Sequence, residues 1–488
     1  MKTIASASLA ENVVMPQYDR QQLKTRIVHF GFGAFHRAHQ ALLTDRVLNS
    51  QGGDWGICEI SLFSGDQLMS QLREQDHLFT VLEKGAAGNQ PIIVGAVNEC
   101  LNAKLDSLAA IIEKFCEPQV AIVSLTITEK GYCIDPATGS LDITNPRIIH
   151  DLQVPDEPHS APGIIVEALH RRRQRGLQPF TVLSCDNIPD NGHVVKNAVL
   201  GMAENRSPEL ANWIQEHVSF PGTMVDRIVP AATEESLDEI ARELGVADPC
   251  AISCEPFIQW VIEDHFVSGR PQWEMAGVQM VDDVLPWEQM KLRMLNGSHS
   301  FLAYLGYLAG FQHISDCMQD PTFREAAHRL MLSEQAPTLR ITNVDLDQYA
   351  DSLLERFANP ALKHKTWQIA MDGSQKLPQR MLDGIRVHLA RQSEWPLLAL
   401  GIAGWMRYVS GIDDSGAIID IRDPMSDKIR TIVEQSTESE RVSALLSLHE
   451  IFDTDLAQNP QFVDTVERAW QRIAQYGAHQ AVIETLKS

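Results

Sequence analysis

Long apolar runs are missing from this chain: nothing approaches the ~20 uninterrupted apolar residues that a membrane-crossing helix needs. The opening stretch MKTIASASLAENVV has one lysine and is broken by Glu11, so it makes a poor secretory signal. Positive charge is also short. Against 64 acidic residues stand 41 Lys and Arg, a formal net charge of −23, which argues against nucleic acid because phosphate contacts need clustered cations. The one basic run, Arg171-Arg172-Arg173 with Arg175, lies on a helix-like stretch and reads as a solvated face. A single cationic pocket for an anionic substrate stays compatible with an acidic surface. The eight cysteines form no C-x-x-C pair, and no His/Cys cluster stands at zinc spacing. The expectation is free thiols in a reducing cytoplasm.

What is present points to two domains. The chain has 488 residues, too many for one ordinary domain, with 44% hydrophobic residues to supply two cores. Short strands fit Arg26 to Phe30, Trp55 to Leu62, Ile92 to Val97, Val120 to Thr126 and Phe180 to Leu183. Helical patterns such as Leu105 to Phe115 and Pro162 to Arg175 lie between them. That alternation predicts a Rossmann-type, doubly wound parallel sheet over residues 1–285. From Pro286 onward long amphipathic stretches dominate, among them Trp287 to Phe311, Leu346 to Arg356, Arg380 to Arg391 and Phe462 to Leu486. They predict a mostly α-helical domain over residues 286–488. The expected class is therefore α/β followed by α.

The first strand runs straight into Gly31-Phe32-Gly33-Ala34-Phe35-His36, with a helical stretch from Ala34 to Asn49 behind it. A glycine turn between a first strand and a first helix brings backbone N–H groups and a helix N-terminus to a dinucleotide pyrophosphate. The match is incomplete, since His36 stands where a third glycine or alanine is expected, and an ordinary tight turn remains the alternative. The acid expected to hold the adenosine ribose is absent at the end of the second strand. Asp66, after Ser64-Gly65, is the nearest, and it could equally cap a helix. No arginine follows in sequence to receive a 2′-phosphate, which leans toward NAD.

Within Met290 to His299, Lys291, His299 and Asn296 fall at about 0°, 80° and 140° on an α-helix of ~100° per residue. A lysine, a carboxamide and an imidazole on one side suit metal-free alcohol oxidation: one group takes the hydroxyl proton, one donates to the developing oxyanion, one orients the substrate. A wet face of an amphipathic helix has the same pattern.

K-x-x-x-x-N-x-x-H closely resembles the signature of the polyol-specific long-chain dehydrogenases and reductases, the mannitol dehydrogenase and fructuronate reductase family. The resemblance runs over nearly the whole chain. It includes Gly31 to His39 (GFGAFHRAH), Thr128 to Tyr132 (TEKGY), Ser184 to Asn187 (SCDN), Thr223 to Arg227 (TMVDR), Glu255 to Trp260 and Asp372 to Lys376 (DGSQK). The stretches Lys291 to Tyr307 and Lys376 to Arg380 are most similar to the fructuronate reductases. The resemblance implies an NAD-dependent enzyme with its active site in the cleft between a Rossmann-type and a helical domain. It implies Lys291 as general base for alcohol oxidation and general acid for ketone reduction. Asn187 and Asn296 would polarise the C–O group, and His299 would fix a neighbouring hydroxyl. Glu129 matches a glutamate linked to proton exchange with the lysine. Asp226 matches an aspartate near the nicotinamide or substrate, although Asp226-Arg227 also reads as a structural ion pair. Gly31, Phe32, Gly33, Ala34, Phe35, His36, Arg37 and Asp66 would form the cofactor side. Asn191 is the fallback if Asn187 faces away.

A hexuronate carries a carboxylate, which needs a cation, ideally one with paired donors. Lys376 and Arg380 are four apart and share a face if the stretch is helical. One or both are the expected carboxylate clamp, with plain helix-surface charge as the alternative. The implied reaction is reversible conversion of D-fructuronate and NADH to D-mannonate. A mannitol- or arabinitol-type polyol 2-dehydrogenase and a non-catalytic NAD-binding sensor are the competing readings. Oligomeric state is open between monomer and homodimer.

Overall fold

The structure is a computed structural model and describes residues 3–85, 87–135 and 138–488. The chain divides into two compact units, Met1–Leu285 and Pro286–Ser488.

The first unit is built on a five-stranded parallel sheet. Its strands are β1 (Lys24–Phe30), β2 (Trp55–Ser61), β5 (Val97–Asn102), β6 (Ile122–Leu125) and β7 (Thr181–Ser184), in the order β5-β2-β1-β6-β7. Both faces are covered, so successive side chains of one strand enter different cores. Ile27 packs into the cluster with Leu42, Ile57 and Val97, while Val28 and Phe30 pack into the one with Phe115, Ile164 and Phe180. The order reverses between β1 and β6, and a parallel sheet places its ligand crevice at such a switch point, at the carboxyl ends of the strands. Two small sheets complete the unit. One is β4-β3-β9, from β3 (Phe79–Gly85), β4 (Gly88–Val94) and β9 (Ile252–Cys254); the other is β11-β10-β8, from β8 (Thr223–Asp226), β10 (Gln259–Glu263) and β11 (Gln279–Val281).

The expected strand over 92–97 is corrected here. Gly95 and Ala96 interrupt it, and its two ends belong to different sheets, β4 and β5. Apolar content alone does not register that break. The basic run is corrected as well. Arg172 is fully buried and donates to the carbonyls of Phe115, Glu117, Val120 and Gln178, so it ties helix Ala161–Gln174 to the segments that lead into β6 and β7. Arg171 and Arg175 pair with Glu113. All eight cysteines are free and buried.

The second unit has one large helical core. Helix Pro396–Val409 packs against Pro460–Lys487, and helix Ser298–Leu308 is buried along almost its whole length between its neighbours. No strand is formed here among the described residues. Three segments of this unit widen into π-helical turns: Lys291–Gly297, Leu330–Gln335 and Pro378–Leu382. They pack on one another, the first touching both others. No helix is long and apolar enough to cross a membrane among the described residues.

Candidate active site

At the switch point the chain leaves β1 through Gly31, whose φ of +100° belongs to the region that favours glycine. A Cβ on Gly31 would lie 2.9 Å from the Thr126 carbonyl oxygen just after β6, so fold and turn both require glycine there. Gly33 differs. Its φ of −79° suits any residue, it is exposed, and a Cβ there would meet nothing within 4 Å. The fold does not demand glycine at that position, but a pyrophosphate lying against the backbone would. Ala34–His36 begins the helix that follows, and Arg37–Ala41 continues it as a π turn into Leu42–Gln51.

His36 and Arg37 need correction as cofactor ligands through their side chains. The His36 imidazole is fully buried, bonds Glu59 at 2.6 Å and stacks on His29 with centroids 3.4 Å apart. The close helix–strand contact that a third glycine normally permits is made here by a buried polar pair on β2. Arg37 turns inward too, over the Phe32 ring and onto the carbonyls of Gly33 and Cys250, where burial pulls its pKa down. Only the backbone of these two residues faces the turn's task. Phe32 is buried edge-on to Phe79, while Ala34 and Phe35 stay partly exposed.

Asp66 is the first residue of helix Asp66–Glu74; Gly65, not Asp66, is the N-cap. The carboxylate pairs with Lys104 at 2.9 Å, which holds its pKa down together with its own helix N-terminus. No sequence pattern placed Lys104 beside it.

Beyond β6 the backbone turns sharply. Thr128 has φ +63° and ψ 164°, a region nearly restricted to glycine, and Glu129 follows it, exposed, at the start of the turn Glu129–Tyr132. The strained turn is held by Asp186, whose carboxylate accepts from the N–H groups of Ile127 (3.0 Å) and Thr128 (2.9 Å) and from the Tyr132 hydroxyl. Burial raises the Asp186 pKa while these donors oppose it. Asp186 therefore links the turn of Glu129 to Asn187, which is exposed beyond β7. The role of Asp186 was not assigned from sequence, although its place between a strand end and Asn187 was visible.

Asn191 is a clamp within the protein. It is buried, its amide donates at 3.0 Å to the Asp186 carbonyl and to the carbonyl and hydroxyl of Thr223, and its oxygen accepts from Thr223 N–H at 3.0 Å. Both polar atoms of this buried carboxamide are engaged inside the protein, which weighs against its reading as a substrate ligand. Asp226, at the end of β8, is buried. Its neighbour Arg227 bonds Glu83 and the carbonyls of Ala38 and Glu255.

In the helical unit the α-helical angles computed for Lys291, Asn296 and His299 do not hold, because Lys291–Gly297 is a π turn. The wider turn takes more residues per revolution, so Asn296 lies closer in angle to Lys291 than an α-helix would place it. Lys291 is buried at 7% exposure, and Asn296 is half-buried. His299, on the α-helix beyond, lies flat on Phe357 (4.9 Å) and near His364 (5.5 Å). Burial first, then the charges of His364, Arg380, Arg356 and Lys376, push its pKa well below the ordinary value, so the ring is neutral. Its Nε2 is buried without a protein partner.

Lys376 and Arg380 lie on adjoining turns of one helical run, Gly373–Leu377 and Pro378–Leu382. Arg380 donates to Ser300 Oγ at 3.0 Å and to the Asn296 carbonyl at 3.5 Å; Lys376 donates to the carbonyls of Ile369 and Met371. No carboxylate is among these partners. Burial and mutual repulsion lower Lys376 to about 8, and burial lowers Arg380 to about 10. The hydrogen bonds of both cations go to neutral groups, and Asp372 and Asp423 act on Lys376 from nearby, opposing the fall in its pKa.

Among the described residues one group could offer ligands to a metal, His29, His36 and Glu59, with ligand atoms within 4.8 Å of one another. Both His29 nitrogens face hydroxyls, of Ser124 (2.7 Å) and Thr126 (2.9 Å), and His36 bonds Glu59 directly. These donors meet each other rather than a common point.

A Rossmann-type sheet with a glycine turn, followed in the chain by a helical unit, is the build of an oxidoreductase acting on CH–OH groups. The mannitol dehydrogenase Rossmann domain matches residues 25–275, and the mannitol dehydrogenase C-terminal domain matches residues 283–474. The chain belongs to the mannitol dehydrogenase family. It is 80% identical to the uncharacterised oxidoreductase YeiQ of Escherichia coli K12, with 100% of each chain covered. It is 56% identical to the D-mannonate oxidoreductase of the same organism, with 99% of each covered. Among solved structures, mannitol 2-dehydrogenase of Pseudomonas fluorescens, in a ternary complex with NAD and D-mannitol, matches with a TM-score of 0.83, 39% identity and 98% of each chain.

Proposed function

We propose that this protein is an NAD(H)-dependent hexuronate reductase that interconverts D-fructuronate and D-mannonate. The observation that carries this reading is the Lys376–Arg380 pair, two partly desolvated cations without a carboxylate partner beside the neutral His299. A sugar acid brings the charge that such a pair lacks. The 56% identity to a D-mannonate oxidoreductase supports the same choice. The open face at Gly33 and the positive φ at Gly31 fit a dinucleotide against the turn, and the relative solved with NAD supports that cofactor.

NAD(H), when bound, gives or accepts the hydride at the carbinol carbon. Lys291 takes the hydroxyl proton in oxidation and returns it in reduction, and Glu129 relays that proton. Asn187 and Asn296 donate to the carbonyl oxygen as negative charge develops on it. His299, neutral and with Nε2 unengaged inside the protein, fixes a neighbouring hydroxyl. Asp226 borders the nicotinamide or substrate, Asp66 the ribose, and Asn191 positions the loop of Asn187.

The test is NADH oxidation, with NADPH in parallel, on D-fructuronate, D-tagaturonate and D-fructose. Fructuronate is expected to be preferred, and faster turnover of fructose overturns the assignment in favour of a polyol 2-dehydrogenase. Lys291→Ala is expected to abolish turnover while NADH still binds. Arg380→Ala should raise KM for the sugar acid far more than for the neutral ketose; equal effects would remove Arg380 from the clamp.

A further inference from the structure

One buried carboxamide beside the π turn of Lys291 takes no part in the roles above. Gln335 ends the π turn Leu330–Gln335, is 2% exposed, and neither its Nε2 nor its Oε1 meets a protein partner. Its surroundings are closely defined. A Cβ on Gly297 would lie 2.6 Å from Gln335 Nε2 and 2.7 Å from the Arg380 carbonyl oxygen. The Gln335 amide and the backbone of the Arg380 turn therefore press together onto Gly297, directly behind Asn296, and only glycine leaves them room. The Gln335 backbone is pinned: Thr338 Oγ1 donates to its carbonyl at 2.6 Å, and Arg293, on the same turn as Lys291, donates to the Thr338 carbonyl and hydroxyl at 2.8 and 3.0 Å. The three π turns of this unit thus meet at one glycine.

A buried amide without a partner destabilises the folded chain, and an apolar side chain of the same shape would relieve that. Retention of the amide here calls for a task. We infer that Gln335 is a positioning residue of the reaction, resting on the reading of Asn296 and Arg380 as substrate-facing groups. It sets the spacing between the Asn296–Gly297 turn and the Arg380 turn. Its Nε2 gains a partner, the Arg380 carbonyl oxygen, when substrate engages the Arg380 side chain and the turn settles. Donor and acceptor already lie against the same face of Gly297, so a small shift suffices. The amide is held without a protein partner so that substrate binding can supply one.

The experiment compares Gln335→Leu and Gln335→Met, the latter unbranched and of similar length, with the unaltered full-length protein. Both variants are expected to melt higher, by ~2–4 °C, because an orphaned amide is gone. Both should lose at least tenfold in kcat, with KM for NADH unchanged and with a smaller rise in Tm on adding substrate. A carboxamide that merely holds the fold would move Tm the other way. Lower Tm in both variants, or an unaltered kcat in both, overturns the inference. The kcat is measured on whichever compound of the panel turns over fastest. A preference for fructose would therefore defeat the hexuronate reading and leave this measurement intact.

Discussion

The two glycines of the nucleotide turn separate what the fold needs from what the cofactor needs. Gly33→Ala places a methyl where nothing stands within 4 Å, at φ −79° and ψ 162°, a conformation alanine adopts freely. Gly33 is the helix N-cap, where alanine is worse by up to ~1 kcal/mol. Loss of glycine's freedom in the unfolded chain returns ~0.4–1 kcal/mol. These nearly cancel, so Tm should stay within ~2 °C of the parent. The new methyl occupies the surface on which a pyrophosphate would lie, and NADH affinity should fall at least ~tenfold, about 1.4 kcal/mol. Gly31→Ala behaves oppositely. A φ of +100° and a Cβ 2.9 Å from a backbone oxygen together cost ~2 kcal/mol or more, so the protein itself is destabilised. Thermal melts with a fluorescence titration of NADH read both quantities. Unchanged NADH affinity in Gly33→Ala would refute the placement of the cofactor on this turn. A Tm loss as large as that of Gly31→Ala would show that the fold, not the ligand, requires Gly33.

Two pH dependences follow from burial. Lys376 ionises near 8, so the clamp keeps both charges below that pH and loses one above it. KM for the sugar acid should therefore rise from pH 7 to pH 9, and Lys376→Arg should flatten the rise; a flat profile in the parent protein removes Lys376 from substrate binding. His29, His39 and His299 are each pushed well below their ordinary pKa by burial. On unfolding they return to ~6.5 and take up protons, so stability is full above that pH and falls below it, by at most about 4 kcal/mol per pH unit for three protons. Asp45 and Glu334, raised by burial to about 6 and about 7, act in the opposite direction, so denaturant midpoints at pH 7, 6 and 5 are compared between the parent and His39→Gln, whose loss of midpoint on acidification should be the smaller; equal losses would contradict a neutral buried His39.

Much of the molecule was legible in one dimension. The alternation of strands and helices, the strand–glycine–helix order at Lys24 to Gln51, and the change to amphipathic helices after residue 285 are local patterns, set by periodicity and glycine stereochemistry. The candidate chemical groups could be named as well, because the motifs quoted for the family resemblance stand in order along the chain. Partnerships were not. That Asn191 is consumed by Thr223, that His36 faces Glu59, that Asp66 meets Lys104 and that Arg172 caps four carbonyls depends on segments up to tens of residues apart being brought within 3 Å. The strand read over 92–97 failed for a related reason: hydrogen bonding to two different sheets, not hydrophobicity, divides it.

The amino-acid order by itself determined which groups the molecule owns: the glycine turn, the lysine, the carboxamides, the imidazole and the paired cations. Only tertiary structure decided which of them remain available. Backbone and side-chain partners use up the hydrogen-bonding capacity of some, as at Asn191 and Arg37. Packing of three widened helical turns leaves other atoms, His299 Nε2 and the side-chain amide of Gln335, buried without a protein hydrogen-bond partner among the described residues. Availability is a property of what surrounds an atom, and those surroundings exist only once distant segments have packed.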